Sequence, residues 1–561
     1  MMRNLLPKIV LGTILVLLAL HFLVSNVSVQ SEGTWARPKF SFSLNKDGSS
    51  ASAAPSKPTE ASKAEKPVEP PSMWEDLEPS PDTTSVLATI ASTAFTEAAE
   101  HTAHHSSAVV HSATSTTAHS TAHSAPTHEV NPHANHGDES ELPCTHLPGA
   151  EDVVFIIKTG ATELEERMPV HFNTTLRCFP KSLIFSDHGE NYEGHIVHDA
   201  LGQVIDEIRL EAKEFDLWRR LHEKGRAGLD PSELSINDKG SNLGGGGNPD
   251  NGGWALDKFK NIPMVNYTIH KYPDTKWFIY VDADTYIMWS TLLQWLQMMD
   301  SSKLVYLGSP AQIDGQVFGH GGSGYVISNA LMHKAAEVYN HNQSYWDEFA
   351  KNHWAGDCVL ATLLEEINGA LSWAYPMIQG GDNNVMNFWE TGYNRRLWCY
   401  PVISYHHIPP STVASLWHFE QEWIANSSRE IRHSDVYKQW YVPQLPHERE
   451  GWSNMVGLED KDLTMTTSND AWECRDQCQG NSTCMQWSFS GGDCRMLEWT
   501  KLGHAAEDVH SGWILDRINE KVVELDECDE GEWIMPDYHG SKRRMRARRG
   551  IEVDRRYTWS R

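Results

Sequence analysis

Between about residues 150 and 420, short apolar runs alternate with amphipathic segments. The runs are typical of buried strands, and the segments between them are typical of helices. Alternation of this kind predicts an α/β domain. The predicted strands are Val153 to Lys158, Leu183 to Phe185, Trp277 to Asp284, Leu304 to Leu307 and Tyr325 to Ser328. The predicted helices are Arg167 to Leu176, Phe215 to Glu223, Trp254 to Tyr272 and Cys358 to Ile367.

The strand that begins at Trp277 ends in two aspartates, Asp282 and Asp284. Side chains alternate along a strand, so both carboxylates are expected to point the same way. Ligands of open α/β sheets bind beyond the carboxyl ends of the strands. Two carboxylates there predict a site for a divalent cation, which can hold the diphosphate of a nucleotide-sugar. For so short a motif, a solvated turn after the strand is the alternative.

The amino terminus carries an apolar run from Ile9 to Val24, preceded by the positively charged Arg3 and Lys8. A bilayer span needs about 20 apolar residues. Positive charges before the run predict that residues 1–8 are cytosolic and that the body is lumenal. We predict a signal anchor over residues 9–29, with a cleaved signal peptide as the alternative.

Residues 30–143 are dominated by Ser, Thr, Ala, Pro and His. Such a segment buries too little apolar surface to offset the entropy lost on folding, which predicts a disordered stem. Its high Ser and Thr content predicts O-glycosylation. The His-rich run from His101 to His146 can bind metal, but its histidines have no repeated ligand spacing. N-glycosylation sequons support a lumenal body, and they begin at Asn173, Asn266, Asn342, Asn426 and Asn481.

The formal net charge of −28 argues against nucleic-acid binding, because phosphate neutralisation needs Lys and Arg. The exception is the basic tail, residues 531–561. It is either a disordered charged end or a site for an acidic partner.

The chain has nine cysteines, so at least one lies outside any intrachain disulfide. After about residue 450, four cysteines in quick succession predict a small disulfide-rich module. A zinc site is the alternative, but paired C-x-x-C spacing is absent. Cys144 with Cys178 and Cys358 with Cys399 are candidate bridges, and Cys528 either closes the small module or stays free. The four clustered cysteines are Cys474, Cys478, Cys484 and Cys494.

Six segments follow one another in order: VVFIIKTG at 153–160, CFPKSLIFSDHGE at 178–190, WFIYVDADTY at 277–286, GGSGYVIS at 321–328, GDC at 356–358 and SYHHI at 404–408. Together they resemble the inverting β-1,3-glycosyltransferases that include Fringe and core 1 galactosyltransferase, the latter most closely. The chain departs from that family at Ala283, where many members have a third aspartate.

The resemblance implies a GT-A fold with a mixed, mostly parallel sheet over residues 144–450. It also implies a UDP-sugar donor and Mn²⁺ as the cation. Asp284 and His406 would bind the metal, with Asp282 beside them on the ribose or on a metal-bound water. The adjacent His407 leaves the histidine assignment open by one residue.

Inverting transfer needs a carboxylate that takes the proton of the acceptor hydroxyl. The resemblance implies Asp357 in this role. Its alternative role is that of a helix N-cap, and the helix amino end would lower its pKa. Further contacts to the donor sugar and the acceptor are implied for Gly321, Gly322, Gly324 and Tyr325, and a contact to uridine for Asp187.

Cys474 to Met496 resembles a PAN/apple module, which we predict over residues 455–530. Such modules bind proteins or carbohydrates. The whole chain is predicted to be a type II membrane enzyme of the Golgi or ER that transfers galactose or N-acetylglucosamine, in β-1,3 linkage, to a glycan or glycoprotein. A homodimer is left open. The alternatives are a catalytically inactive domain that presents the module as a lectin, and a retaining transferase on the same fold.

Overall fold

The computed structural model describes residues 142–235, 251–313, 315–455, 457–458, 462–526, 528, 533–536 and 538. The predicted cytosolic tail, signal anchor, nearly all of the stem, most of the glycine-rich insertion and the end of the basic tail lie outside these residues. Within the part of the chain that is described, no helix is both long and apolar enough to cross a bilayer.

The described strands, in chain order, are β1 Val153–Lys158, β2 Ser182–Ser186, β3 Glu190–Tyr192, β4 His195–Asp199, β5 Trp277–Asp282, β6 Tyr286–Ile287, β7 Tyr306–Gly308, β8 Pro310–Ile313, β9 Gln316–Gly319, β10 Tyr325–Ser328, β11 Ser372–Trp373, β12 Thr391–Gly392, β13 Arg395–Arg396, β14 Ser404–Tyr405, β15 Glu448–Ser453, β16 Thr464–Thr467, β17 Gln486–Ser490, β18 Asp493–Leu497 and β19 His504–Trp513.

The described α-helices are α1 Leu164–Asn173, α2 Asp206–Glu211, α3 Asp216–Lys224, α4 Gly252–Asp257, α5 Asn261–Lys271, α6 Trp289–Gln297, α7 Asn329–His341, α8 Gln343–Lys351, α9 Gly356–Glu366, α10 Pro410–Asn426, α11 His433–Val436, α12 Ala471–Gly480 and α13 Leu515–Leu525.

Eight of the described strands form the central sheet, in the order β11, β7, β10, β5, β1, β2, β4, β3. Strands β5, β1, β2 and β4 are parallel to one another, whereas β10 runs antiparallel to both β5 and β7. The predicted mixed, mostly parallel sheet is therefore present. Every residue of β1 is buried, as expected for a parallel strand covered on both faces.

Two apolar cores lie on opposite faces of this sheet, because alternate residues of a strand face opposite ways. Phe155 and Ile157 of β1 belong to one core, and Val154 and Ile156 belong to the other. The second core also contains the apolar sides of α5, α7 and α9. The sheet is thus held between helices, and its carboxyl edge is left to carry polar groups.

The predicted helix from Trp254 to Tyr272 is two helices, α4 and α5. The amides of Phe259 and Lys260 bond three residues back, to Leu256 and Asp257, which tightens the chain into a turn between them. This turn brings the Lys260 amine inward, where it donates to the Thr159 carbonyl oxygen at 2.9 Å. Apolar periodicity continues across the break, and the local signal of it is Pro263 in the first turn of α5.

The carboxyl-terminal part of the chain contains a five-stranded antiparallel sheet, in the order β15, β19, β17, β18, β16. Helix α12 packs against it, and the disulfides Cys474–Cys494 and Cys478–Cys484 lie in its small core beside Trp487. The four clustered cysteines therefore form disulfides, as predicted. We call residues 448–514 the C-terminal module.

The predicted bridge between Cys144 and Cys178 is present, but the one between Cys358 and Cys399 is wrong. Cys358 lies in the core on one face of the central sheet, whereas Cys399 packs against the core on the other face. Cys399 instead pairs with Cys528. Cys528 therefore ties the end of the described chain to the α/β domain rather than closing the C-terminal module.

Candidate functional site

Three adjacent parallel strands end at the same edge of the central sheet, and their last residues begin the candidate site. Strand β1 ends at Lys158, β5 at Asp282, and β2 just before Asp187. In register, Lys158 pairs with Asp282. The sequence therefore places opposite charges side by side where the sheet opens.

Asp282 forms an ion pair with Lys158, whose amine lies 3.2 Å from its Oδ1 atom. The same amine donates to Asp257 on α4 at 2.6 Å. Burial raises the pKa of Asp282; Lys158 opposes this, and the charges of Asp257 and Asp284 add to it. Asp282 is thus held by the protein itself and is not free to turn toward a ligand without losing this contact.

The strand is shorter than predicted, and Asp284 lies beyond it, because β5 ends at Asp282. A turn follows, closed by the Thr285 amide bonding to the Asp282 carbonyl oxygen. Asp284 therefore takes its direction from the turn and not from the pleat of the strand.

Asp284 lies against two histidines. Its Oδ1 atom is 3.2 Å from His406 Nε2, and its Oδ2 atom is 3.6 Å from His407 Nδ1. One ligand atom from each of the three residues lies within 4.8 Å of the other two. One carboxylate oxygen and two imidazole nitrogens suit a divalent transition metal. The donor set therefore fits a cation, and Asp282 is not part of this group.

The charges of Asp284, His406 and His407 shift one another's pKa values. Burial disfavours ionisation of Asp284, but the two imidazoles hold its pKa well below its usual range. Burial also disfavours protonation of His406, yet Asp284 raises the pKa of that imidazole. The pKa of His407 is lowered, by burial and by its neighbour His406. An ionised carboxylate thus faces two imidazoles, which become candidate metal ligands when they are neutral.

Backbone pairing brings these distant residues together. Strand β14 pairs with β6, which follows the Asp284 turn directly, and the Ile408 amide donates to the Asp284 carbonyl oxygen at 3.1 Å. His407 adopts a left-handed conformation with φ 60°. This conformation turns consecutive histidines toward one carboxylate, so the structure leaves both as candidate ligands.

His171 lies beneath the same turn and was not singled out by the sequence. It is fully buried on α1. Its Nε2 atom is 2.8 Å from the carbonyl oxygen of Ala283, the residue between the two aspartates, and its Nδ1 atom is 3.1 Å from Thr175 Oγ1. A carbonyl oxygen only accepts, so Nε2 carries the proton and Nδ1 accepts from the threonine hydroxyl. Burial lowers the pKa of His171 to about 4, which keeps it neutral.

Asp357 lies on the other side of the site, in the first turn of α9. The helix begins at Gly356 with Ala355 as its N-cap, so Asp357 is not the cap. Its carboxylate accepts from the amides of Gly321 and Cys358, each at 2.8 Å. These bonds fix its direction.

The expected lowering of the Asp357 pKa is wrong in sign. Burial raises it to about 6, although the Gly321 amide and the charge of Lys158 act in the opposite direction. Removal from water therefore outweighs the helix end. A carboxylate with this pKa is largely ionised at pH 7 and is a better proton acceptor than an ordinary aspartate.

The glycine turn, residues 321–324, joins the two halves of the site. Gly321 contacts Asp357 through its amide, and a Cβ atom on the next residue, Gly322, would lie 2.2 Å from His406 Nε2. Gly324 has φ +88°, and a Cβ there would lie 3.1 Å from Val281. The turn therefore needs small residues to bring the candidate base and the candidate metal ligand together.

Two predicted ligand contacts fall on buried side chains. The Tyr325 ring stacks on Tyr280 inside the core, with centroids 5.1 Å apart, and the residue is 2% exposed. Asp187 is fully buried. It accepts from the Ala161 amide at 2.7 Å and lies 3.5 Å from the Lys260 amine. Asp187 therefore holds the loop after β1 in place through its bond to Ala161. Its contact with uridine stays a prediction.

Further residues at this edge were also missed. Burial and the charge of Asp284 raise the pKa of Glu163 to about 7, and Thr159 Oγ1 donates to this carboxyl group at 3.2 Å. Trp254 and Trp354 stack with centroids 6.4 Å apart, the second only three residues before Asp357. In the sequence, Glu163 could have been noticed as an acidic residue just after the first predicted strand. Trp354 could have been noticed as a tryptophan close to the GDC segment.

Residues 253–379 match a family model described as Fringe-like. The matched range includes Asp282, Asp284, the glycine turn and Asp357, whereas Asp187 and His406 lie outside it. The match supports a relationship to the Fringe family of glycosyltransferases, which the six sequence segments also indicated. Comparison with curated proteins gives no match.

Proposed function

We propose that this protein is a metal-dependent, inverting glycosyltransferase that uses a UDP-sugar. One observation carries the proposal: neighbouring residues of one turn contact the two functional groups. Gly321 bonds to Asp357, and Gly322 packs against His406 beside Asp284. A carboxylate of raised pKa and a cation-binding group are thus held at one sheet edge, as transfer from a nucleotide diphosphate requires.

The cation would be held by Asp284 and His406, with His407 as a further candidate ligand, and Mn²⁺ is the proposed ion. When bound, it neutralises negative charge on the diphosphate as this group leaves. The proposed role of Asp282 is to contact the ribose or a metal-bound water, although its ion pair with Lys158 would have to accommodate this contact.

The proposed step joins the acceptor oxygen to C1 of the donor sugar while the bond from C1 to the UDP oxygen breaks. Asp357 takes the proton of the acceptor hydroxyl. The glycine turn lets both substrates approach the backbone closely. Attack on the face opposite the leaving group inverts the anomeric centre, as in inverting glycoside hydrolysis.

The finer proposals rest on the sequence. The donor sugar is galactose or N-acetylglucosamine, and the product linkage is β-1,3, as the resemblance to core 1 galactosyltransferase implies. The acceptor is a glycan or glycoprotein. The apolar run from Ile9 to Val24 supports a type II topology in the Golgi or ER, and the disulfides support a lumenal location for the folded part. The C-terminal module is proposed to be PAN/apple-like.

The test is UDP release by the full chain in detergent, with Mn²⁺ and a panel of UDP-sugars and acceptors. Donor-selective release that stops in EDTA is expected. Asp284→Asn and Asp357→Asn should each lower it by roughly 100-fold or more. Asp300→Asn changes an exposed aspartate and should leave release unchanged.

Three outcomes separate the alternatives. UDP binding without turnover of any donor would favour the inactive, lectin-like protein. A product that keeps the anomeric configuration of the donor would favour a retaining enzyme. Release that persists in EDTA would contradict metal dependence.

A further inference from the structure

A short loop joins the candidate metal site to the C-terminal module. Residues 379–384, which we call the bridging loop, lie after β11 and run past His406. The His406 amide donates to the Gly381 carbonyl oxygen at 3.3 Å. The loop also lies against the glycine turn, because a Cβ atom on Gly380 would be 2.8 Å from Ser323 Oγ. The beginning of the bridging loop therefore packs directly against one candidate histidine ligand and against the turn beside it.

The C-terminal module holds the other end of the bridging loop. The Leu502 amide donates to the Asn384 carbonyl oxygen at 2.8 Å, and the Asn384 amide donates to Asp382 Oδ1 at 2.8 Å. The residue before Leu502 is Lys501, which is only 4% exposed. Burial lowers the pKa of Lys501 to about 8 and raises the pKa of Asp382 to about 6, and the charge of each group opposes the shift of the other. A buried cation of the module thus acts on a buried carboxyl group of the loop.

The segment of the module that meets the loop is fixed by the sheet of the module. The Lys501 amide donates to Gln486 Oε1 on β17 at 2.7 Å, and the Lys501 carbonyl oxygen accepts from Trp513 Nε1 on β19 at 3.0 Å. The hydroxyl oxygens of Thr500 and Tyr437 lie 2.9 Å apart, which ties the same segment to the α/β domain. All five residues are buried. The module therefore presents a rigid edge to the bridging loop.

One buried residue of the bridging loop disfavours the conformation that the loop adopts. Asn383 is fully buried, and among the described residues neither its amide nitrogen nor its amide oxygen has a hydrogen-bond partner. An unsatisfied buried amide costs free energy. The conformation must therefore be stabilised by the contacts at the two ends of the loop, with His406 at one end and with the module at the other.

We propose that the C-terminal module positions the candidate metal ligand His406 by holding the bridging loop. Leu502 holds the loop through the backbone of Asn384, and Lys501 holds it through the charge of Asp382. Lys501 and Asp382 are positioning residues, since neither belongs to the metal-binding group. The inference rests on the metal dependence of the proposed function, but it concerns metal binding alone and is measured without donor or acceptor. It gives the module a role in the catalytic site that needs no ligand of its own.

The experiment measures Mn²⁺ binding by the full chain in detergent, without UDP-sugar, from the electron paramagnetic resonance signal of free Mn²⁺. Lys501→Met keeps most of the side-chain length but removes the charge, so Asp382 loses a counter-charge and the loop is held less firmly. The dissociation constant for Mn²⁺ should rise about fivefold, as for a residue that acts through its neighbours. Asp382→Asn should have a similar effect. The double variant should bind about as weakly as either single variant, because both changes remove the same interaction.

The matched control is Lys438→Met, which removes a lysine amine 2.8 Å from Asp526 Oδ1. Asp526 belongs neither to the bridging loop nor to the C-terminal module, so this variant should bind Mn²⁺ as the wild type does. Thermal melting without metal shows whether each variant is folded, and Asp382→Asn decides the question if Lys501→Met is not.

The proposal is overturned if the folded single variants bind Mn²⁺ as tightly as the wild type, or if their losses multiply in the double variant. UDP release by the same wild-type preparation tests the transferase separately. A wild type that binds Mn²⁺ but releases no UDP would contradict the transferase and leave this inference standing. A wild type that binds no Mn²⁺ would overturn both.

Discussion

Two carboxylates at the site differ in ionisation because their neighbours differ. Asp284 faces two imidazoles, which hold its pKa low. Asp357 is buried with two amide donors and a more distant lysine, and its pKa rises to about 6. One is therefore suited to binding a cation and the other to accepting a proton, which is the division of roles that proposed transfer requires.

We expect activity to follow the ionisation of Asp357. Below about pH 6 the carboxyl group is protonated and cannot act as a base, so kcat/KM should fall as the pH drops through 6 and level off above it. The measurement is the pH profile of UDP release with acceptor at saturating Mn²⁺. A profile that stays flat down to pH 5 would contradict the role of Asp357.

His171 is expected to act through the turn between the aspartates. His171→Ala removes the donor to the Ala283 carbonyl oxygen, so the metal concentration for half-maximal activity should rise about tenfold, as for other supports of metal ligands. His171→Gln keeps an N–H donor and should recover part of the loss.

The control for His171 is His333→Ala, because His333 also bonds to a backbone carbonyl oxygen, at 2.9 Å, but on an exposed helix face. It should leave the metal requirement unchanged. If His171→Ala lowers only the melting temperature, with an unchanged metal requirement, then His171 is structural alone.

The end of a predicted strand indicated Asp284, and the resemblance to a known family indicated Asp357 and His406. His171 and Lys158 could not be found in this way. Their roles come from contacts with residues more than 90 positions away, and a buried histidine in a helix has no distinctive pattern. The pKa of Asp357 was expected to move the wrong way, because burial depends on the packed structure.

At the level of elements, continuous apolar runs identified the parallel strands, since both faces of each are covered. The break between α4 and α5 was missed, although Pro263 in the first turn of α5 is a local signal of a new helix start. Cysteine pairing also needed the fold: sequence spacing does not reveal on which face of the sheet Cys358 and Cys399 lie.

The Cys399–Cys528 bridge closes a span of 129 residues, so its loss should destabilise the protein strongly. Replacing both cysteines by serine should lower the free energy of unfolding by about 2–5 kcal/mol. The measurement is denaturant unfolding followed by tryptophan fluorescence.

The matched control replaces Cys478 and Cys484, whose bridge spans only 6 residues. Chain entropy predicts a loss about half as large for that pair. An equal or larger loss in the short-span variant would contradict an entropic effect of the long bridge.

On the scale of the whole molecule, the sequons are not equivalent. Asn173, Asn342 and Asn426 are exposed and Asn481 is partly exposed. Asn266 is 9% exposed, donates to Gln203 at 2.7 Å and accepts from Asn340 at 2.8 Å. A glycan linked through Asn266 Nδ2 would disturb its bond to Gln203 and would need room at a nearly buried position.

We therefore expect glycans on the other sequons but not on Asn266 in the folded protein expressed in a secretory system. Glycopeptide mass spectrometry measures the occupancy of each site. Asn266→Gln should lower the melting temperature, whereas Asn426→Gln should remove a glycan without doing so. A glycan on Asn266 of the folded protein would contradict this assignment.

Residues near the end of the described chain pack in the same apolar core as residues of the first strand. Trp513, Ile518, Leu525 and Ile534 pack in the same core as Val153 and Phe155 of β1. During synthesis, the part of this core that these late residues fill therefore stays open until the last described residues have been made. The α/β domain therefore cannot complete this core before the C-terminal module has been made, so a chain truncated before Trp513 would leave apolar core residues without their partners.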